Sequence, residues 1–107
     1  MFRKKKKEAK IELYELWSLD HTLARIISRY LKEFIEASSL SGATPGIYCQ
    51  KDQENCRSLW EADLWKMQKA FADYAALDRP EECPEEKRKE IREGMQLFID
   101  EYDELWY

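Results

Sequence analysis

The chain has a single histidine, three cysteines with no CxxC among them, and no apolar run near the roughly 18 residues that a membrane span needs. Each scarcity removes a class of function. Structural zinc sites use close ligand pairs such as C-x2-4-C, and Cys49, Cys56, Cys83 and His21 are not spaced that way. An odd number of cysteines without a redox motif suits a reducing cytoplasm. No Ser/His/Asp arrangement, P-loop or GxGxxG is present, so no catalytic residue is assigned and the reading leans away from an enzyme. The basic start runs into "EAKIELYEL" rather than an apolar h-region, so no signal peptide is expected. No cofactor, metal or membrane contact is assigned.

What remains is a charged, aromatic-rich chain of one domain's length, 107 residues. Fourteen aromatics, four of them Trp, supply core despite the small size. The net charge of -4 hides an asymmetry. Residues 1–10 carry six Lys/Arg against one Glu, whereas the remainder carries twelve against twenty-one Asp/Glu, a net -9. The run "RKKKKEAK" reads as a solvated tail without interleaved aromatics, and the acidic body argues against nucleic-acid binding. The expected organisation is a basic flexible tail at 1–10 and a single helical domain at 11–107.

Apolar periodicity predicts an all-α fold: a compact bundle of three main helices at about 18–37, 58–77 and 84–106. The first has a stripe of Leu19, Leu23, Ile26, Ile27, Tyr30, Leu31, Phe34 and Ile35, starts at Ser18 or Asp20 and stops at Gly42. Residues 38–57 read as a long loop around the Pro45-Gly46 turn, with Ile47 and Tyr48 available to pin it. The second helix starts at "SLWE", where Ser58 and Glu61 have capping-box spacing, and its stripe is Trp60, Leu64, Met67, Phe71 and Tyr74. The third follows Pro84, with a stripe of Ile91, Met95, Phe98, Tyr102 and Leu105. Gly94 sits inside it and costs about 1 kcal/mol against Ala, which suggests a close helix crossing. "AKIELYELW" reads as a short N-terminal element, helical or irregular.

Three sets of candidate site residues emerge. Trp17, Trp65 and Trp106 fall at element starts or stripe edges, where they either anchor a partner or cover the bundle's ends; with Tyr48 they are the expected partner contacts. The alternative is a nucleotide-signal pocket: Gly46 and Tyr48 on the loop would close beside His21 and Arg25. A third reading follows from E-x-x-E and E-x-x-D pairs, which hold magnesium in helical nucleotide pyrophosphatases. Glu33 and Glu36, Glu90 and Glu93, and Asp100 and Asp103 have that spacing. However, Glu36 lies about 200° from Phe34 and Asp100 about 200° from Phe98, so they read as solvated faces.

The stretches "WSLD" (Trp17 to Asp20), Trp60, Leu64, Met67, Ala70, Phe71 and Tyr74, and the closing Gly94, Leu97, Phe98, Tyr102, Leu105 and Trp106 together resemble a group of small uncharacterised bacteriophage proteins. The basic head and the two loop cysteines depart from that pattern. The resemblance covers most of residues 17–106 and implies a helical fold; it carries no catalytic residue. Taken with the acidic body, it implies a non-enzymatic accessory protein in the host cytoplasm. Such a protein would bind and modulate a host or viral protein through an acidic, aromatic-studded surface. Exposed aromatics are also compatible with a homodimer.

Overall fold

A computed structural model describes residues 10–106. It is an all-α bundle whose elements are α1 (Leu13–Trp17), α2 (Leu19–Ser41), α3 (Gly46–Lys51), α4 (Cys56–Ala75) and α5 (Glu85–Asp100). Single 3-10 turns at Pro80–Glu82 and Tyr102–Glu104 flank α5. Among the described residues there is no strand. The expected basic tail lies, apart from Lys10, outside the described residues.

The three main helices are those the apolar pattern predicts, with α4 between the other two. Helices α2 and α4 run antiparallel, because Tyr74 reaches Asp20 at one end and Arg57 reaches Ser38 at the other. The core is built on α4: Trp60, Leu64 and Met67 are at most 1 % exposed, joined by Phe71 and by Leu31 and Ile35 of α2. Helix α5 adds Ile91 and sets Phe98 edge-on to Phe71, with ring centroids 5.0 Å apart. By contrast, α2 and α5 do not pack closely on each other.

Gly94 is the close crossing its position suggests. A Cβ added there would lie 2.6 Å from the Lys66 carbonyl oxygen of α4, and closer still to the Ala70 methyl. Gly42 ends α2 at φ 72°, and its N–H donates to the Ser38 carbonyl, a left-handed stop that glycine allows.

Residues 38–57 are not the long loop expected. Helix α2 runs on through Ser41, α3 occupies Gly46–Lys51, and α4 begins at Cys56. Serine is a weak helix former because its hydroxyl competes for the backbone. Here that competition is satisfied inside the helix: the Ser38 and Ser41 hydroxyls donate to the Ile35 and Ser38 carbonyls. Arg57 then ties the end of α2 to α4, donating to the Ala43 carbonyl at 2.5 Å and to the Ser38 hydroxyl at 3.3 Å. Ser58 is not a cap, since Asn55 holds that position and Ser58 lies one turn inside α4. The third helix also ends earlier than its stripe, at Asp100, with Tyr102 to Glu104 in a 3-10 turn.

Cys49 of α3 and Cys56 of α4 form a disulfide with Cα atoms 4.7 Å apart, while Cys83 is free and buried. The pairing has no signal in the sequence, where a seven-residue separation matches no redox or metal motif.

Candidate functional site

The feature that sets this bundle apart lies on α2. Five of its six buried residues, Ala24, Ser28, Leu31, Ile35 and Ser38, form a line spanning about 80° at 100° per residue, while Thr22 is buried on another side, its hydroxyl donating to the Glu15 carbonyl of α1. Two of the five are serines and one is alanine, so α2 lies close against α4 along small side chains. Leu31 and Ile35 of the predicted apolar stripe are on this line, but half of the stripe is rotated away from it. Leu19, Leu23, Ile26 and Tyr30 are 44 %, 46 %, 41 % and 74 % exposed, on a sector centred about 130° from the buried one. Ile27 and Phe34 lie between the two sectors and join the core's edge. The apolar sector is therefore wider than one neighbouring helix can cover, which is why the stripe read as wholly core is half surface.

The exposed half borders an opening between α2 and the end of α5. Ile26, Ile27, Tyr30, Leu31 and Phe34 line one side, Phe98 and Leu105 the other, around a groove of about 320 Å³. Every lining residue is apolar or aromatic. Beside it stand Trp106, 63 % exposed, and Tyr102, 62 % exposed. Ahead of α2, α1 leaves Trp17 84 % exposed and Leu13 and Tyr14 similarly open. Several large apolar side chains of α1, α2 and the end of α5 are thus left exposed.

The electrostatics of the face are lopsided. Arg25, Arg29 and Lys32 are exposed on the flank of α2, and among the described residues none forms an ion pair. Across the groove the chain turns through Asp100, Glu101, Asp103 and Glu104 without an intervening base. Burial pushes the Glu101 carboxyl above its usual range, helped by the neighbouring charges of Glu104 and Asp63.

Of the expected partner contacts, Trp17 at the end of α1 and Trp106, next in sequence to Leu105 of the groove, are exposed. Trp65, 44 % exposed, is on α4 and does not line the groove. Tyr48 is corrected: it is 5 % exposed and stacks on Trp60 at 5.0 Å, and its hydroxyl donates to Asp63 at 2.5 Å. Burial and that carboxylate raise the phenol well above its ordinary value. Tyr48 is thus the core pin of α3 and not a surface contact.

The alternative ligand pocket is also corrected. His21 and Arg25 are on the first turns of α2, whereas Gly46 and Tyr48 follow its last, and the roughly twenty intervening residues span about 30 Å of helix. His21 is instead used within the bundle. Its Nε2 sits 2.7 Å from the Leu77 carbonyl, its ring stacks on Tyr74, and its Nδ1 faces Asp20 at 3.3 Å. Tyr74 donates to the same Asp20 carboxylate at 2.6 Å, which lowers the Asp20 pKa. This cluster fastens the start of α2 to the end of α4.

The carboxylate pairs do not assemble. Glu90, Glu93 and Asp100 border an open groove of about 620 Å³ between α4 and α5, interspersed with Lys66, Lys69, Asp63 and Asp73. Lys69 is bonded to Asp73 at 2.7 Å. Glu33 and Glu36 are exposed on α2, at a distance from these. Among the described residues no three His, Cys, Asp or Glu side chains form a group that could hold a metal, and no helix is long and apolar enough to cross a membrane. Comparison with protein-family models, curated proteins and solved structures finds no match.

Proposed function

We propose that the protein works by binding another protein through the apolar face of α2 and its groove, and not by catalysis. The observation that carries this is the exposed line Leu19, Leu23, Ile26 and Tyr30, rotated off the buried line of the same helix. Leaving four large apolar groups partly in water has no benefit to the isolated fold. The resemblance to small bacteriophage proteins favours a host or viral protein as the partner class. The acidic charge of the body favours a partner with a basic surface, such as the groove of a nucleic-acid-binding protein.

Capture from infected-cell lysate with wild type and with Leu23→Glu tests the reading. Loss of a captured protein on substitution supports it. Capture that is indifferent to Leu23, Ile26 and Tyr30 rejects this face. The nucleotide-binding alternative has lost its pocket geometry, and the magnesium-dependent hydrolase its ligand cluster; neither is proposed.

A further inference from the structure

We infer that the Cys49–Cys56 disulfide is a redox-operated clasp on α3: a dithiol opens it, and α3 then lifts Tyr48 off the start of α4 while the three long helices stay packed. This device stands apart from the α2 face and does not depend on its partner.

The bond ties down one short segment. It joins α3 to the first residue of α4 across seven positions of sequence and constrains neither α2 nor α5. Leu31, Ile35, Leu64, Met67 and Phe71 assemble the core between α2 and α4, away from the segment it closes.

Little else holds α3. Six residues are too few to persist as a helix unaided. Its N-cap, Pro45, makes no side-chain capping bond. Ile47 is 51 % exposed, and Gln50 and Lys51 face solvent. Apart from the disulfide, the anchor is Tyr48, seated on the Trp60 ring and bonded to the Asp63 carboxylate, with Pro45 buried just ahead of it. Both of those Tyr48 partners belong to α4. Breaking the bond leaves α3 on that single anchored turn.

The sulfurs can be reached. Cys49 and Cys56 are half-buried, so a thiolate has access from solvent. Cys83 does not compete, because it is buried beyond the far end of α4, whose twenty residues span about 30 Å. Opening is a two-electron exchange. One thiolate of the dithiol attacks a sulfur, the S–S bond breaks, and a mixed disulfide forms as the other cysteine leaves. The second sulfur of the dithiol then displaces the first cysteine. The two protons of the dithiol end on Cys49 and Cys56, and the reagent ends as its own disulfide.

Lifting Tyr48 uncovers one side of Trp60, 1 % exposed when α3 is closed, and frees the Asp63 carboxylate. Lys51, whose Nζ lies 5.8 Å from the Tyr48 ring centre, leaves with α3. The reduced form therefore presents an apolar and acidic patch at the start of α4 that the oxidised form covers.

Hydrogen exchange and acrylamide quenching on the full chain, before and after native-state reduction with dithiothreitol, test the clasp. The amides of α3 and of Asp52, which donates to the Tyr48 carbonyl, should exchange at least tenfold faster once reduced. The slow amides in the middle of α4 should not change. Quenchable tryptophan fluorescence should rise, and Trp60→Phe should abolish the rise. Reoxidation with oxidised glutathione should reverse these changes, and Cys49→Ser with Cys56→Ser should match the reduced form without any reagent. A disulfide that dithiothreitol leaves intact in the folded protein overturns the inference, as do α3 amides equally protected in both forms. Reduction that loosens α2, α4 and α5 together also overturns it, since the bond would then be a staple of the whole fold.

Discussion

Replacing Gly94 by Ala sets two calculable effects against each other. In a helix interior Ala is favoured over Gly by about 0.8–1.0 kcal/mol. Burying the added methyl is worth about 0.8 kcal/mol more. Taken together, propensity and burial would stabilise by nearly 2 kcal/mol. The geometry reverses the sign. The new Cβ would stand 2.6 Å from the Lys66 carbonyl oxygen and would overlap the Ala70 methyl. Neither can swing aside, because one is backbone and the other a methyl on the same helix. Helices α4 and α5 must therefore part by on the order of 1 Å. A gap of that size forfeits a quarter to a half of each contact's attraction along the whole seam, including Ile91 and the Phe98–Phe71 ring pair. Overpacking costs typically 1–3 kcal/mol, and a clash with backbone belongs at or above the top of that range. The expected net is a destabilisation of about 1–2 kcal/mol, or a Tm lower by roughly 5–10 °C. Urea unfolding followed by circular dichroism is the assay, with the midpoint falling at constant slope. Ala70→Gly in the same chain should restore only part of the loss, since the Lys66 carbonyl stays in place. A Gly94→Ala protein as stable as wild type or more so would refute the close crossing and leave Gly94 as an ordinary helix defect.

Other perturbations have expected outcomes of their own. Reducing the Cys49–Cys56 disulfide, or replacing both residues by Ser, should cost about 2 kcal/mol from reopening a short loop, read as a lower melting temperature; an unchanged melt would mean that Tyr48 and Trp60 alone hold α3. Glu101→Gln should stabilise at neutral pH. Burial raises the Glu101 pKa above its ordinary 4.5, so the folded state holds the proton more tightly and stability falls as pH rises from 4.5 through the raised value. The gain should vanish below about pH 4, and equal melting temperatures at pH 7 would contradict the assignment. Tyr74→Phe removes the main cause of the lowered Asp20 pKa. Asp20's contribution is present above pH 3.8 and is lost as pH falls through its lowered folded value, so wild type should exceed the variant at neutral pH, by under about 1 kcal/mol at this exposed site, and converge with it in acid. A difference that persists at pH 2 would point to ring packing instead.

How much of this was legible in the sequence varies by element. Helices α4 and α5 are plain because each has one narrow apolar line, and Gly94 announced its crossing by being costly where it stands. Helix α2 was legible as a helix but not in its orientation. Its apolar arc is so wide that the eye follows Leu and Ile, while the line Ala24, Ser28, Leu31, Ile35 and Ser38 does the packing. That line does carry a signal, since small and apolar residues recur at four, three, four and three. Helix α3 was invisible: six residues are too few for a period, and two prolines or glycines nearby suggest a turn. Its anchor, Tyr48, looked like a surface contact because nothing local shows that Asp63, fifteen residues on, accepts its hydroxyl. The separation of Gly46 from His21 is likewise a property of the straight rod between them.

The placement of α4 between two helices that scarcely meet has a consequence for how the molecule comes apart. The fold is a pair of hairpins sharing one arm, and each outer arm can lift without dragging the other. Amide hydrogens in the middle of α4 should therefore exchange only on global opening, while those of α2 and α5 exchange by separate, cheaper excursions. Any partner that settles between the outer arms would join them into one cooperative unit, so slower exchange in both at once would report its arrival.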